Sequence, residues 1–330
     1  MNRKTDFDVV GIGDIVIDAF IRLNIGHLEE TAHGVEYCIP YGTKTPYEFV
    51  TEVPAVGNTP NAMVAMSRLG LNTALLSFVG NDQHGKECLK RLEEEKISTM
   101  LMRTEDGKAT NYHYVLWYKD DRTILIKHEN FTVSLGDIGK PKWVYLSSIA
   151  ETAMNIHFEL LDYLTKNPDV KLAFQPGTFQ LKKKDELMEI YKRCDCVCMN
   201  KEEAEQFLAT EERDIKVLLD GLMKINGKIV IITDGPNGSY IKYDNTYLFM
   251  PLFPDIGPAY DRTGAGDAFF STFIAYLAKG YDEAEAFKRA PINSMNVVQH
   301  VGAQEGLLTE DVLEKYLKEA PDSYKLKIVE

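Results

Sequence analysis

From residue 142 onward the chain repeats one unit, a short apolar run paired with an amphipathic stretch at helical spacing, and this repeat restricts the fold more than any other feature. "KWVYLSS" (142–148) precedes "NIHFELLDYLTKN", "KLAFQPG" precedes "KKDELMEIYKR", "CDCVCMN" precedes "KEEAEQFLAT", and "GKIVIITDG" follows "DIKVLLDGLMKIN". Strands that alternate with helices pair in parallel, because each helix carries the chain back to the edge where the last strand began. The expected fold is α/β: a doubly wound, mostly parallel sheet flanked by helices, with ligands at the carboxyl ends of the strands. In strand geometry Cys194, Cys196 and Cys198 share one face. That segment reads as a reduced, half-buried strand and not as a metal site, since no C-x-x-C pair accompanies it.

Two segments break the rhythm. Residues 20 to about 53 are rich in polar, glycine and aromatic residues with little helical periodicity. "ATNYHYVLWYKDDRTILIKHENF" reads as two strands joined at "KDDR", with Tyr112, Tyr114 and Leu116 alternating against His113, Val115 and Trp117. Segments 20–53 and 110–130 are expected to form a small antiparallel sheet, a lid that closes over a ligand, a partner subunit or both. An ordinary edge hairpin is the plainer alternative. No long linker or internal repeat interrupts the 330 residues, so the chain reads as a single domain, 1–330, with a lid. The net charge of -13 argues against nucleic-acid and anionic-membrane partners, yet leaves room for one small polyanion. The N-terminus lacks a signal-like apolar stretch, and no apolar run approaches the ~20 residues needed to span a bilayer. A cytoplasmic protein acting on a small molecule is the expectation.

Chemistry concentrates in "DRTGAGDAFFSTFIAYLAKG" (261–280), where Phe269, Phe270, Phe273, Ile274, Leu277 and Ala278 recur at helical spacing and Gly280 suits the helix end. The helix begins near Gly264 to Asp267. Its first N–H groups lack intrahelical partners, the helix dipole adds positive potential, and Gly264, Ala265 and Gly266 leave the backbone open to a phosphate. On position alone Asp267 serves equally as a dipole-stabilising residue or a general base. The Gly-Ala-Gly run favours the base, because a lone capping carboxylate does not require it.

"DRTGAGDAFFS" resembles the C-terminal signature of the ribokinase-like, or PfkB, carbohydrate and nucleoside kinases. The likeness extends along the chain through "GIGDIVID", "VGNTPNAMVAMSRLGLNTALLSFVGNDQHG", "MNKEEAE" and "ITDGPNGS". By this resemblance the protein is an ATP-dependent kinase that transfers the γ-phosphoryl group to a hydroxymethyl group of a sugar. A nucleoside or sugar phosphate is the alternative acceptor, the latter suggested by Arg122, Lys127 and His128 after the lid turn. Asp267 would be the catalytic base, with Gly264, Ala265 and Gly266 as the anion hole. Asn200 and Glu203 would organise Mg²⁺ and its waters, Glu203 indirectly, although "NKEE" satisfies a helix capping box equally well. Thr233, Gly235 and Gly238 would lie along the nucleotide and Asn296 near its adenine or ribose. Asp14, Asp18, Gly57, Asn58 and Asn61 would bind the acceptor, since carboxylates and amides hold hydroxyls in fixed directions. Tyr112, Tyr114 and Trp117 would cover a sugar face or stack on a base, unless they form the lid's own core. A response to K⁺ near "PDIGPAYDR" and a homodimer through the lid are further expectations. The chain departs from the family pattern at Asn58, at Arg262 and at "QPG" (175–177). Two other classes compete: a dinucleotide-dependent oxidoreductase, for which "GIGD" lacks the third glycine, and a non-catalytic nucleotide or sugar sensor.

Overall fold

The computed structural model describes residues 6–329 apart from 33, 120 and 258. Residues 1–5, Asp120 of the expected turn and Pro258 of the loop before the glycine-rich helix lie outside the described residues. Nine strands form the main sheet in the order Lys327–Ile328, Thr246–Met250, Ser239–Tyr243, Ile229–Thr233, Cys196–Asn200, Lys171–Phe174, Trp143–Leu146, Val9–Ile12 and Thr73–Leu76. The strands from Thr73–Leu76 through Ile229–Thr233 pair in parallel, and the remainder are antiparallel.

Side chains alternate between two cores along each strand, as the pleat requires. Val9, Tyr145, Ala173, Cys196, Cys198 and Ile231 face one core, packed by helices Asn58–Arg68, Ala265–Ala278 and Glu283–Val297. Val10, Ile12, Val144, Leu146, Phe174 and Ile232 face the other, packed by helices Asn155–Lys166 and Ile215–Asn226. Cys194 departs from the sequence expectation: it follows helix Met188–Arg193, precedes the strand, and lies in the second core. The three cysteines are fully buried, so the strand is not half-buried.

The first strand feeds Thr73–Leu76 on one side and Trp143–Leu146 on the other, so the order reverses there and leaves a crevice at its carboxyl end. The strand stops at Ile12. After Gly13 and Asp14 the chain enters Val16–Leu23, which belongs to a second sheet of order Asp121–Leu125, Tyr112–Tyr118, Val16–Leu23, Phe49–Val56. Asp18 therefore sits on the second sheet and not at the end of a central strand. This sheet is antiparallel in its outer pairs and parallel at its centre, where Ile17–Leu23 run beside Tyr112–Tyr118. Beyond it, hairpin His27–Thr31 and Gly34–Cys38 is anchored by Tyr37 stacked on Tyr118 at 4.6 Å. Among the described residues no helix is long and apolar enough to cross a membrane.

Candidate active site

Helix Ala265–Ala278 is buried almost all round, because the sheet and helices Asn58–Arg68 and Glu283–Val297 enclose it. A carboxylate in its first turn is consequently withheld from bulk water. Asp267 is 5% exposed and its oxygens accept three amide hydrogen bonds: Oδ1 from Asn58 Nδ2 (2.8 Å) and Gln175 Nε2 (3.1 Å), Oδ2 from Asn61 Nδ2 (2.9 Å). Burial raises its pKa, and the amides of Asn61, Asn58 and Gln175 oppose that rise by binding the ionised form. The amides are themselves fixed: Tyr145 OH donates to Gln175 Oε1, and Gln304 Nε2 donates to Asn61 Oδ1 at 3.1 Å. Because each amide favours the carboxylate, Asn58→Ala should move the acidic limb of the kcat/KM pH profile to higher pH; an unmoved limb would detach Asn58 from the titration of Asp267.

Gly264 caps this helix at φ +80°, and a Cβ there would collide with Ala303. Gly57, with φ +121°, plays a similar part at the start of helix Asn58–Arg68, where a Cβ would meet the Asp14 carbonyl at 2.8 Å. These close approaches bring both helix starts to the crevice. The cavity between them, about 400 Å³, is lined by Asp14, Asp18, Gly57, Asn58, Asn61, His113, His128, Gln175, Glu203, Gly264 and Asp267.

Its end nearest the second sheet carries two carboxylate–imidazole pairs. His128 Nδ1 lies 3.3 Å from Asp14 Oδ2, His113 Nδ1 lies 3.4 Å from Asp18 Oδ1, and the two rings meet edge-on with centroids 5.3 Å apart. Asp14 Oδ2, Asp18 Oδ1 and His113 Nε2 are buried without a hydrogen bond, an arrangement that invites donors and acceptors from a ligand. Burial pushes the Asp14 carboxyl up to about 7, against the opposing Ala150 N–H and His113; burial and His113 lower His128. A carboxyl raised on folding contributes its stability at low pH and loses it as pH rises through the folded value. Asp14→Asn should thus gain melting temperature relative to wild type between pH 5 and pH 8; a difference constant over that range would contradict the raised carboxyl.

On the other side of the helix start lies a more apolar cavity of about 280 Å³, lined by Gly235, Pro236, Leu252, Phe253, Arg262, Ala265, Ser294, Met295 and Val298. Asn200 pairs in register with Thr233, which brings their strand ends and Gly235 to the same edge. Gly238 closes the 235–238 turn with φ +96°. Asn200 and Glu203 form a reciprocal capping box with both bonds at 2.8 Å, while Glu203 also lines the larger cavity, its carboxyl raised by burial and the nearby Glu202 and Asp267 charges. Asn296 turns away from the expected base site: its Nδ2 donates to the Gly306 carbonyl at 2.7 Å, and it lines neither cavity.

Of the two readings left open for the lid aromatics, packing within the lid fits the contacts better. Tyr114 is exposed, Tyr112 packs on His84 and Tyr114, and Trp117 is held between Arg22 and the edge of Tyr260; none lines the larger cavity, where Phe20, Ile124 and Ile126 stand instead. For Tyr112 and Tyr114 the pleat explains this, because they occupy the face opposite His113 and Val115; Trp117 shares the His113 face and is taken up by Arg22 and Tyr260. Gln175, Tyr145, Gln304 and His113 were not anticipated as site residues. For Gln175 a signal existed in the departure at "QPG"; the other three carried none.

A doubly wound sheet whose crevice meets a glycine-rich helix start and a buried carboxylate suits phosphoryl transfer. The chain belongs to the pfkB family of carbohydrate kinases, whose pattern matches residues 25–310. An ATP-dependent 6-phosphofructokinase of Thermoanaerobacterium thermosaccharolyticum is 27% identical over 264 residues, 75% of this chain and 80% of that protein. A nucleoside kinase of Methanocaldococcus jannaschii is 25% identical over 271 residues, 77% of this chain and 82% of that protein. Among solved structures, Arabidopsis thaliana ribokinase complexed with ribose and ATP superposes with a TM-score of 0.77 at 18% identity, covering 95% of this chain and 99% of that one.

Proposed function

We propose that the protein transfers the γ-phosphoryl group of ATP to a hydroxymethyl group of a neutral sugar, with Asp267 as the base. The observation that carries this reading is the Asp267 carboxylate, held by three amides at a glycine-rich helix start between two cavities of different character. The apolar cavity suits a nucleotide base, with Thr233, Gly235 and Gly238 along the nucleotide. The amides of Gly264, Ala265 and Gly266 suit the migrating phosphoryl group. The acceptor hydroxyl stands at Asp267, which takes its proton as the oxygen attacks phosphorus and ADP leaves. Glu203 and Asn200 suit Mg²⁺ held through water: Glu203 is a half-buried carboxylate facing the cavity whose raised pKa a dication would relieve. The ion would neutralise charge on the phosphates.

The acceptor end favours a polyol over the alternatives. Asp14 and Asp18 present oxygens without a hydrogen bond that suit hydroxyls, whereas an acceptor phosphate would face two acidic side chains. Of the basic trio, Arg122 and His128 line the cavity but are paired with Asp261 and Asp14, and Lys127 does not line it. Tyr112, Tyr114 and Trp117, which could stack on a nucleobase, do not line the cavity, where Phe20 stands. The second sheet, bearing Asp18, His113 and Phe20, acts as the lid of a single domain. Its exposed Val50, Tyr114 and Leu125 suit a second copy of the chain, which light scattering would detect as a dimer. Potassium dependence is a separate matter that equal rates in K⁺ and Na⁺ would remove. A coupled ATP assay across sugars, nucleosides and sugar phosphates tests the acceptor. Turnover greatest with a neutral sugar is expected, and turnover confined to nucleosides or sugar phosphates would overturn the sugar reading.

A further inference from the structure

We infer that Arg122 is a positioning residue, a latch through which the lid fixes the turn that forms the anion hole. The inference rests on the kinase reading above and adds a coupling between the acceptor lid and the phosphate site. Asp261, 8% exposed at its side chain, stands three residues before Gly264. Its Oδ1 accepts from Thr263 N (2.9 Å) and Thr263 Oγ1 (2.5 Å), and its Oδ2 accepts from Gly302 N (2.9 Å). One carboxylate thereby joins the two backbone segments that meet at Gly264, since Ala303 fills the space where a Gly264 side chain would go.

A carboxylate so enclosed needs a counter-charge. The lid supplies it: Arg122, on strand Asp121–Leu125, places Nη1 3.2 Å from Asp261 Oδ1, the one ion pair Asp261 makes among the described residues. A second contact lies alongside. Trp117, the cross-strand partner of Arg122, meets Tyr260 edge-on at 5.7 Å, and the backbone N–H groups of Tyr260 and Asp261 are both held by the Val298 carbonyl. The same lid sheet carries Asp18, Phe20, His113 and Ile124 into the acceptor cavity, and Arg122 itself borders that cavity beside Thr263 and Gly264. A lid seated by the acceptor is therefore seated on Asp261 too, and the turn into Gly264 is held in register when both substrates are present.

Calorimetry with Mg·AMP-PNP, whose terminal phosphate reaches the anion hole, and Mg·ADP, which lacks it, separates this role from others. The proteins compared are wild type, Arg122→Gln, Arg122→Lys, Asp261→Asn and the double variant Arg122→Gln/Asp261→Asn, with melting temperatures recorded alongside. The latch predicts that Arg122→Gln weakens Mg·AMP-PNP about tenfold, roughly 1.4 kcal/mol, and leaves Mg·ADP within about twofold. It also predicts recovery of part of the loss in Arg122→Lys, and a double variant no worse than the worse single one, because both remove the same pair. Unchanged Mg·AMP-PNP affinity in Arg122→Gln overturns the latch while the kinase reading stands. Additive losses overturn it in favour of a direct Arg122–phosphate contact. Failure of the wild type to bind either nucleotide overturns the kinase reading and the latch together.

Discussion

Asp267→Asn should reduce turnover by ~10²- to 10⁴-fold while Mg·nucleotide binding persists. The substitution keeps the volume of the side chain and removes the proton acceptor. It also turns one of two accepting oxygens into a donor facing the amides of Asn58, Asn61 and Gln175, all of which donate to Asp267. One or two of those bonds are lost, but a buried negative charge disappears as well, so the melting temperature should shift only modestly. Steady-state kinetics with the acceptor found by the panel, beside nucleotide calorimetry, make the check. A variant within threefold of wild-type turnover would remove Asp267 from the chemistry.

Gly264→Ala should cost both stability and activity, whereas Gly266→Ala should cost activity alone. At Gly264 a side chain meets left-handed backbone, worth roughly 1–2 kcal/mol, and a collision with the backbone and Cβ of Ala303 in the neighbouring loop. That loop must move, and the first-turn amides move with it. Losing one aligned donor at a developing oxyanion lowers turnover by ~10²–10³. Gly266 has ordinary backbone, and its nearest neighbour to an added Cβ is Gln175 Nε2 at 3.6 Å, so Ala fits the protein, and its methyl would crowd a phosphoryl group held by the first-turn amides. Thermal melts paired with turnover distinguish the two; equal melting temperatures for both variants would mean that the Gly264 turn is not strained.

The alternation of apolar runs and helices in the second half was sufficient to anticipate the parallel sheet, because each unit is local and its period is readable. The start of helix Ala265–Ala278 was legible for a similar reason: glycines, carboxylate and apolar spacing are contiguous. What the sequence hid was contact between distant segments. Asn58 and Asn61 were expected at the acceptor and do line its cavity, but that their amides also reach Asp267 across more than 200 positions was not legible. Gln175 stood out only as a departure, and its link between Tyr145 and Asp267 requires two neighbouring strands to be in register. Whether the lid aromatics cover a ligand or build the lid stayed open in the sequence, because alternation tells which residues share a face, not which face is turned toward the cavity. The break after Ile12, which sends Asp18 to another sheet, follows from Gly13 and Asp14 and was obscured by the continuous apolar pattern on either side.

The central claim is spatial: a phosphoryl group is gripped by the amides of residues 264–266 beside the carboxylate of Asp267. A crystal structure with Mg·AMP-PNP bound measures it directly. The terminal phosphate is expected within hydrogen-bond distance of those amides, with the base in the cavity bounded by Gly235, Phe253 and Met295. A nucleotide whose terminal phosphate lies away from that helix start would contradict the account.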